Sequence, residues 1–329
     1  MKKYDMEVIG FYDGFQGLAE NRGNLLSDDK LSGILTLGGT ILGTSRYRPD
    51  TGASVEEGIH RAWETYRAQQ LDALVCMGGD GTQRAALRLM RDTDMRIVTL
   101  PKTIDNDIAE TEVCFGFDTA AQIATDAIDR LHSNAQSHHR VMLVEIMGNR
   151  SGWLTVASGL AGGADVVIIP EIPYNINKVA DALRERERRG KRFSIVAVAE
   201  GSVACGEADA AAGATSATVG HPDATPHSTA AMRLLTQLPK LTGLDARLTT
   251  LGYVMRGGTP SVFDRNLATQ VGTFAVDLIA AERFGVMVAM QQNRLTPVAL
   301  EQVAGRRRLV PLDHPMIESL RALRISLGD

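Results

Sequence analysis

Two short stretches concentrate the reactive side chains of this chain. Residues 101–107 read Pro101-Lys102-Thr103-Ile104-Asp105-Asn106-Asp107, and residues 78–82 read Gly78-Gly79-Asp80-Gly81-Thr82. The first sets two carboxylates two residues apart, beside a lysine and a hydroxyl. Each stretch follows a short apolar run, Ile97-Val98-Thr99-Leu100 in one case and Leu74-Val75-Cys76-Met77 in the other. Open parallel sheets bind ligands at the carboxyl ends of their strands, so the pair predicts a phosphoryl-transfer site.

Each residue type suits a step of that chemistry. Glycines at 78, 79 and 81 let backbone N–H groups approach phosphate oxygens. A helix opening at Thr82 would aim its positive end at the same place. Asp80 is suited to Mg²⁺, a cation that prefers oxygen ligands and keeps several waters. Asp105 is a candidate general base for a sugar hydroxyl, with Asp107 beside the metal or orienting that base. Thr103 can hydrogen-bond a transferred phosphoryl group, and Lys102 supplies a compact positive charge. A third loop, residues 38–46, adds glycines, hydroxyls and Arg46, a candidate to stabilise charge on the moving phosphoryl group. Further on, Arg140, Arg247 and Arg256 are candidates for a sugar phosphate, because guanidinium matches phosphate in bidentate fashion. Glu200 is a candidate for sugar hydroxyls. Taken singly, glycine-rich turns and lone charges are commonly structural or solvent-facing; their coincidence carries the argument. The run at 184–189 reads as a solvated helix face, and Arg306-Arg307-Arg308 is too short to imply nucleic acid.

The elements that must position these loops alternate between short apolar runs and helical patterns, which predicts an α/β fold with mostly parallel sheet. Strands are expected over 6–11, 73–77, 96–100, 141–146, 166–169, 194–199, 246–253 and 285–290. Helices are expected over 54–69, 82–92, 119–133, 152–161, 177–189, 227–242, 263–282 and 314–325. Residues 201–226, rich in Ala, Gly, Ser and Thr, read as a mobile surface insertion. The length of 329 residues suffices for two α/β domains. A net charge of −4 argues against a nucleic-acid partner. Three scattered cysteines, Cys76, Cys114 and Cys205, imply no disulfide frame, with Cys76 and Cys114 expected in the core. No apolar run approaches the ~20 residues that span a membrane, and no signal-peptide core follows Met1, so the expected location is cytoplasmic.

In combination these residues resemble the 6-phosphofructokinase family, over about residues 7–329. The motifs run in order: Tyr12-Asp13-Gly14-Phe15-Gln16-Gly17-Leu18, GGTILGTSR at 38–46, GGDGT, PKTIDND, Phe117-Asp118-Thr119-Ala120, MG-x-x-SGW at 147–153, Ala199-Glu200-Gly201 and Arg256-Gly257-Gly258. The resemblance implies two Rossmann-like three-layer α/β/α domains. A nucleotide-binding domain would span 1–116 plus 251–300, and a sugar-phosphate domain 117–250 plus 301–329. The implied reaction moves phosphoryl from ATP to the 1-hydroxyl of fructose 6-phosphate with Mg²⁺. In this resemblance Asp105 matches the catalytic base and Asp107 its acidic neighbour. Asp80 matches the magnesium-linked aspartate. Gly78, Gly79, Gly81 and Thr82 match the nucleotide-phosphate loop, with Tyr12, Arg46, Tyr47 and Lys102 on the same ligand. Thr103, Asp105, Arg140, Met147, Gly148, Glu200, Arg247, Tyr253 and Arg256 match the sugar-phosphate set. Tyr253 stands where many members have histidine. Arg140 and Arg247 match residues given across a subunit interface, which implies a homodimer or homotetramer.

Two positions bear on the phosphoryl donor. Pyrophosphate-dependent members carry aspartate where this chain has Gly81, and a side chain there would crowd the α-phosphate of a nucleotide. Lys102 is the residue those same members carry. The expectation is ATP; the alternatives are a pyrophosphate-dependent fructose-6-phosphate 1-phosphotransferase or a catalytically impaired regulatory subunit. NAD kinases and lipid kinases share GGDGT but leave PKTIDND unexplained. The chain departs from the pattern twice. The family's opening GGDxPG strand, loop and helix have no counterpart ahead of Met1, so the nucleotide domain is expected to be incomplete. The family's MGR reads Met147-Gly148-Asn149, with Arg150 one residue late.

Overall fold

The structure is a computed structural model that describes residues 2–51, 55–206 and 229–329. The expected insertion at 201–226 lies outside the described residues from 207 onward. In chain order the elements are β1 (Ile9–Phe11), α1 (Phe15–Ala19), β2 (Gly23–Leu25), α2 (Asp28–Leu31), α3 (Val55–Ala68), β3 (Leu74–Gly78), α4 (Asp80–Asp92), β4 (Ile97–Pro101), α5 (Phe117–His138), β5 (Val141–Ile146), α6 (Trp153–Ala161) and β6 (Val166–Ile168). They continue with α7 (Ile176–Arg188), β7 (Ser194–Ala199), α8 (Ala230–Thr242), β8 (Ala246–Thr250), α9 (Val262–Ala280), β9 (Val286–Gln291), β10 (Arg294–Ala299), α10 (Leu300–Val303) and α11 (Pro315–Ala322).

Two compact units divide the chain. The first holds residues 1–103, 107–116 and 257–308; the second holds 104–106, 117–256 and 309–329. Residues 251–256 therefore fall in the second unit and 301–308 in the first. The reason for the latter is local pairing. Arg307 forms an isolated bridge with Ile108, and the Arg308 N–H donates to the Asp107 carbonyl at 2.9 Å.

In the first unit the sheet order is β10-β9-β4-β3. β3, β4 and β9 are parallel and β10 is antiparallel. β4 is buried along its whole length, and its side chains alternate between faces as a strand must. Ile97 packs with α3 and α4 through Ile59, Ala62, Ala86 and Leu89. Val98 and Leu100 pack on the opposite face with Leu267, Val271, Ala275 and Leu278 of α9. This is a three-layer α/β/α arrangement. β3 lies at the sheet edge, and its Met77 is 53% exposed. The sequence pattern hides β10 because Pro297 interrupts it; as an edge strand it tolerates proline. The expected strand over 6–11 shrinks to β1, which forms a separate antiparallel ribbon with β2.

In the second unit the sheet is wholly parallel, in the order β6-β7-β5-β8. Met142, Val144 and Ile146 of β5 face α5, α6 and α11. Val141 and Leu143 face α7 and α8. Both faces are covered, as all-parallel sheets require. The expected strand over 246–253 ends at Thr250, and a 3₁₀ turn, Gly252–Arg256, takes over. Cys76 and Cys114 are buried as expected, Cys205 is exposed, and none of the three is in a disulfide.

One buried polar side chain ties β3 and β4 together. Gln83, on the sheet-facing side of α4, is 0% exposed. Its Nε2 donates to the Gly78 carbonyl at 3.1 Å and, more loosely, to the Leu100 carbonyl at 3.5 Å, while its Oε1 accepts from Thr99 Oγ1 at 2.5 Å. Each buried polar group left unpaired costs about 1–3 kcal/mol. We predict that Gln83→Ala lowers unfolding free energy by about 2 kcal/mol or more, measured by chemical denaturation. A loss below half that would show the bridge to be dispensable.

Candidate active site

The two loops singled out in the sequence leave adjacent strands at the same level. β3 and β4 pair in parallel with Gly78 opposite Pro101, so residues 79–82 and 102–103 emerge side by side. The Lys102 N–H donates to the Gly78 carbonyl at 3.1 Å. A Cβ added at Gly79 would lie 3.8 Å from Thr103 Cβ. A Cβ at Gly78 would stand 2.1 Å from Thr82 Oγ1, so only glycine permits this turn. The helix begins at Asp80, two residues earlier than expected. Asp80 and Gly81 therefore sit in the first turn of α4, whose leading N–H groups lack intrahelical acceptors.

Asp80 is anchored on both oxygens. Oδ1 accepts from the Gly305 N–H at 2.9 Å, and Oδ2 pairs with Arg84 Nε at 3.1 Å. Asp107 is buried. Burial pushes its carboxyl above the usual range; the nearby Asp80 charge adds to the push, and Arg307 and its own backbone N–H oppose it. The basic triplet at 306–308, read from sequence as too short to imply nucleic acid, thus has a structural role. Arg307 bridges Ile108 through its backbone, close enough for its charge to act on Asp107, and Arg308 is buried enough for desolvation to weaken its hold on its proton.

Tyr12, Arg46 and Tyr47 belong to the same unit. The 38–46 loop is fixed to the turn after β1: the Asp13 N–H donates to the Leu42 carbonyl at 2.8 Å, and Ser45 Oγ donates to the Asp13 carbonyl at 2.9 Å. Tyr12 takes a hydrogen bond from Asn24 Nδ2 at 2.9 Å. Arg46 is exposed and Tyr47 half-buried.

In the second unit, residues 104–106 are held by Ile104, which packs on the core, and by Ser151 Oγ, which lies 3.4 Å from the Asp105 carbonyl. Asn106 takes φ +53°, a left-handed turn that asparagine tolerates. Asp105 is thereby presented half-buried between two fixed neighbours. Just past β7, Glu200 Oε1 accepts the Asn149 N–H at 2.8 Å and the Gly148 N–H at 3.3 Å, both in the loop that follows β5. Glu200 thus shapes the loop carrying Met147 and Gly148. Asn149 is left-handed at φ +54°, with Arg150 following it. Tyr253 is 66% exposed, and Arg256 lies over its ring at 5.3 Å. The buried Met255 anchors that turn.

Arg140 and Arg247 stand elsewhere. They flank the amino-terminal ends of β5 and β8, and both grip Asp245: Arg140 Nε at 2.7 Å and Arg247 Nη1 on the other oxygen. Seven strand steps at ~3.3 Å separate Arg140 from Met147, roughly 20 Å. One chain therefore does not bring these two arginines to the Glu200 and Arg256 end. Sequence reading missed Asp245, Gln83 and Arg307. The proximity of Asp245 to Arg247 was the only available signal among them.

A glycine loop and a carboxylate loop leaving neighbouring parallel strands define a phosphotransferase of the α/β class. Known proteins narrow this. The pattern described as Phosphofructokinase matches residues 1–279. The chain is 50% identical to the ATP-dependent 6-phosphofructokinase of Propionibacterium freudenreichii, covering 99% of this chain and 92% of that one. It is 43% identical to ATP-dependent 6-phosphofructokinase 3 of Bacteroides thetaiotaomicron, covering 99% and 91%. Among solved structures it resembles Pichia pastoris phosphofructokinase (TM-score 0.78, 29% identity), covering 91% of this chain but only 32% of that one. It shares its fold with the pyrophosphate-dependent phosphofructokinase of Nitrosospira multiformis (TM-score 0.80, 20% identity, 98% of this chain and 84% of that one). The chain belongs to the phosphofructokinase family.

The loop shaped by Glu200 offers a direct test of local packing. A Cβ at Gly201 would stand 1.9 Å from the Asn149 carbonyl oxygen, a backbone atom that cannot swing away. We predict that Gly201→Ala costs about 1–3 kcal/mol of stability and displaces the 147–149 loop. Thermal denaturation together with amide exchange at Gly148 and Asn149 checks both parts.

Proposed function

We propose that this protein transfers the terminal phosphoryl group of ATP to the 1-hydroxyl of fructose 6-phosphate, giving fructose 1,6-bisphosphate and ADP, as in glycolysis. The observation that carries the reading is the side-by-side exit of the Gly78–Thr82 and Pro101–Thr103 backbones from β3 and β4. That exit gives phosphate-binding N–H groups and a hydroxyl-bearing loop a common origin. The names of the relatives at 50% and 43% identity support ATP as donor, as does the absence of a side chain at Gly81.

The roles follow from chemistry. Gly78, Gly79 and Gly81 offer backbone donors to the nucleotide phosphates and Thr82 its hydroxyl, since the Thr82 N–H donates to the Gly79 carbonyl, with Tyr12, Tyr47 and Lys102 on the same substrate. Asp105 removes the proton of the 1-hydroxyl as that oxygen attacks the terminal phosphorus. The bond from that phosphorus to its bridging oxygen breaks, and ADP departs with the electron pair. Thr103 and Arg46 hydrogen-bond the moving group, with charge stabilisation as the larger effect. Glu200, Met147, Gly148, Tyr253 and Arg256 hold the sugar phosphate.

Mg²⁺ fits this set. Asp80 and Asp107 are near enough for one charge to disfavour the other, and magnesium needs only one or two carboxylates besides substrate phosphates. Among the described residues no group of three His, Cys, Asp or Glu side chains makes an all-protein cage. When bound at Asp80, the cation would neutralise charge on the phosphates. Because Arg140 and Arg247 lie far along β5 from Glu200, we place them on a neighbouring subunit's sugar phosphate, in a homodimer or homotetramer. Cytoplasmic location accords with three cysteines outside any disulfide, and no helix among the described residues is long and apolar enough to cross a membrane.

A coupled assay with ATP and with pyrophosphate tests the donor; turnover with pyrophosphate alone would overturn the ATP reading. We predict that Asp105→Asn lowers kcat at least ~10²-fold, the lower end of what a general base contributes, with fructose 6-phosphate binding little changed. Near-normal turnover would remove Asp105 from the role. Arg256→Ala should raise the KM for fructose 6-phosphate roughly tenfold or more, the loss of a charge-assisted hydrogen bond. A titration showing unchanged affinity would take Arg256 out of the sugar site.

A further inference from the structure

Arg48 follows the arginine and tyrosine already assigned to the nucleotide, and its guanidinium is set in place by one carboxylate. Nε donates to Asp50 Oδ1 at 3.0 Å and Nη2 to Oδ2 at 2.5 Å. The side chains of Arg48 and Asp50 are only 24% and 10% exposed. A bidentate pair of this kind fixes direction as well as distance. The third nitrogen, Nη1, has no hydrogen-bond acceptor among the described residues and points toward the first turn of α4. A Cβ built on Gly81 would lie 3.4 Å from Nη1, with Cδ and Cζ at 3.8 Å.

A cation at a helix N-terminus is unfavourable, because the helix end is itself positive. Asp50 offsets that charge on the far side of the guanidinium and leaves the near side electropositive. An anion lying over Gly81 would satisfy both Nη1 and the first-turn N–H groups at once. If the terminal phosphates lie over Gly78–Asp80, the next phosphate of a nucleotide lies over Gly81, and pyrophosphate has no group there.

We propose that Arg48 is a specificity-determining residue for the phosphoryl donor: its Nη1, which lies beside Gly81 at the first turn of α4, binds the phosphate nearest the nucleoside. The inference rests on the ATP reading above. It also changes what an aspartate at position 81 does in this chain. The new carboxylate would come within reach of Nη1 and form an ion pair, so Gly81→Asp would occupy the space of that phosphate and withdraw its ligand together.

The test measures binding of ADP and of inorganic pyrophosphate by isothermal titration, with Mg²⁺ held constant, and steady-state kinetics with ATP. Arg48→Ala should weaken ADP about 10–100-fold, the range of hydrogen bonds to charged groups, and move pyrophosphate less than about threefold. The KM for fructose 6-phosphate should not move. Arg48→Lys, which keeps charge but loses the fork on Asp50, should fall between. Gly81→Asp should weaken ADP strongly, and Arg48→Ala added to it should cost little more, because the two share one interaction. Thermal midpoints report folding; should Arg48→Ala not fold, Arg48→Lys and Asp50→Asn carry the same comparison. Unchanged ADP affinity, equal loss of ADP and pyrophosphate, or full additivity with Gly81→Asp would each overturn the proposal. A wild-type protein that turns over ATP while the Arg48 variants bind ADP normally would overturn this inference alone. A wild-type protein that binds no ADP would overturn both readings.

Discussion

The parallel register of β3 on β4 is the constraint on which the chemistry of the first unit depends. With Gly78 opposite Pro101, a glycine turn and a carboxylate-bearing loop start from one level. A one-residue slip would reverse every side chain on the moved strand. It would bury Cys76's neighbours on the wrong face and carry the GGDGT turn away from Thr103. Burial of β4 on both faces resists that slip through Ile97 on one side and Val98 and Leu100 on the other. Gln83 adds a polar lock at the point where register matters most. Its amide meets one carbonyl from each strand and a hydroxyl from β4, a set that only one alignment supplies.

Carboxylates throughout the two units do similar work on the main chain. Asp80 holds the Gly305 N–H, Glu200 holds two successive N–H groups, and Asp264 holds the Gly116 N–H at 2.8 Å. Each such bond carries a full charge on the acceptor and is roughly twice as strong as a neutral one. Loops that must present side chains to a mobile substrate are thereby made stiff at their backbones. Asp105 is fixed differently. Its carbonyl accepts from Ser151 Oγ at 3.4 Å and its neighbour Ile104 packs against the core, so its main chain is held from both sides.

The fold class and most strands were legible because buried parallel strands write themselves as short apolar runs, as β4, β5 and β7 do. β10 was not, since Pro297 breaks its run and only its edge position makes the strand permissible. The reactive loops were legible because glycine, aspartate and threonine at fixed spacing have few other uses. Their supports were not. Gln83 reads as one more polar residue on an amphipathic helix until the fold turns it inward. Arg307 hid in a basic triplet, and Arg48 in a loop, because their partners Asp107 and Gly81 are 200 and 33 residues away respectively. Pairing at that separation is decided by tertiary structure, and no local pattern reports it.

The placement of the arginines supplies the last constraint. Arg140 and Arg247 share Asp245 at the amino-terminal ends of β5 and β8, while Glu200 and Arg256 lie beyond the carboxyl-terminal ends of the same sheet. A parallel sheet cannot fold its two ends onto one small ligand, since its strands are straight over the roughly 20 Å involved. Two guanidiniums drawn together by one carboxylate also keep a net positive charge, and an anion can be shared by both. The second unit therefore carries arginines at two ends that one small molecule cannot span. The proposed symmetric assembly would resolve this, because a twofold axis would present the arginine end of one copy to the Glu200 end of another and repeat the exchange in return. The proposed oligomer thus follows from the proposed substrate set, and the separation of Arg140 from Glu200 within one chain is the observation that supports it.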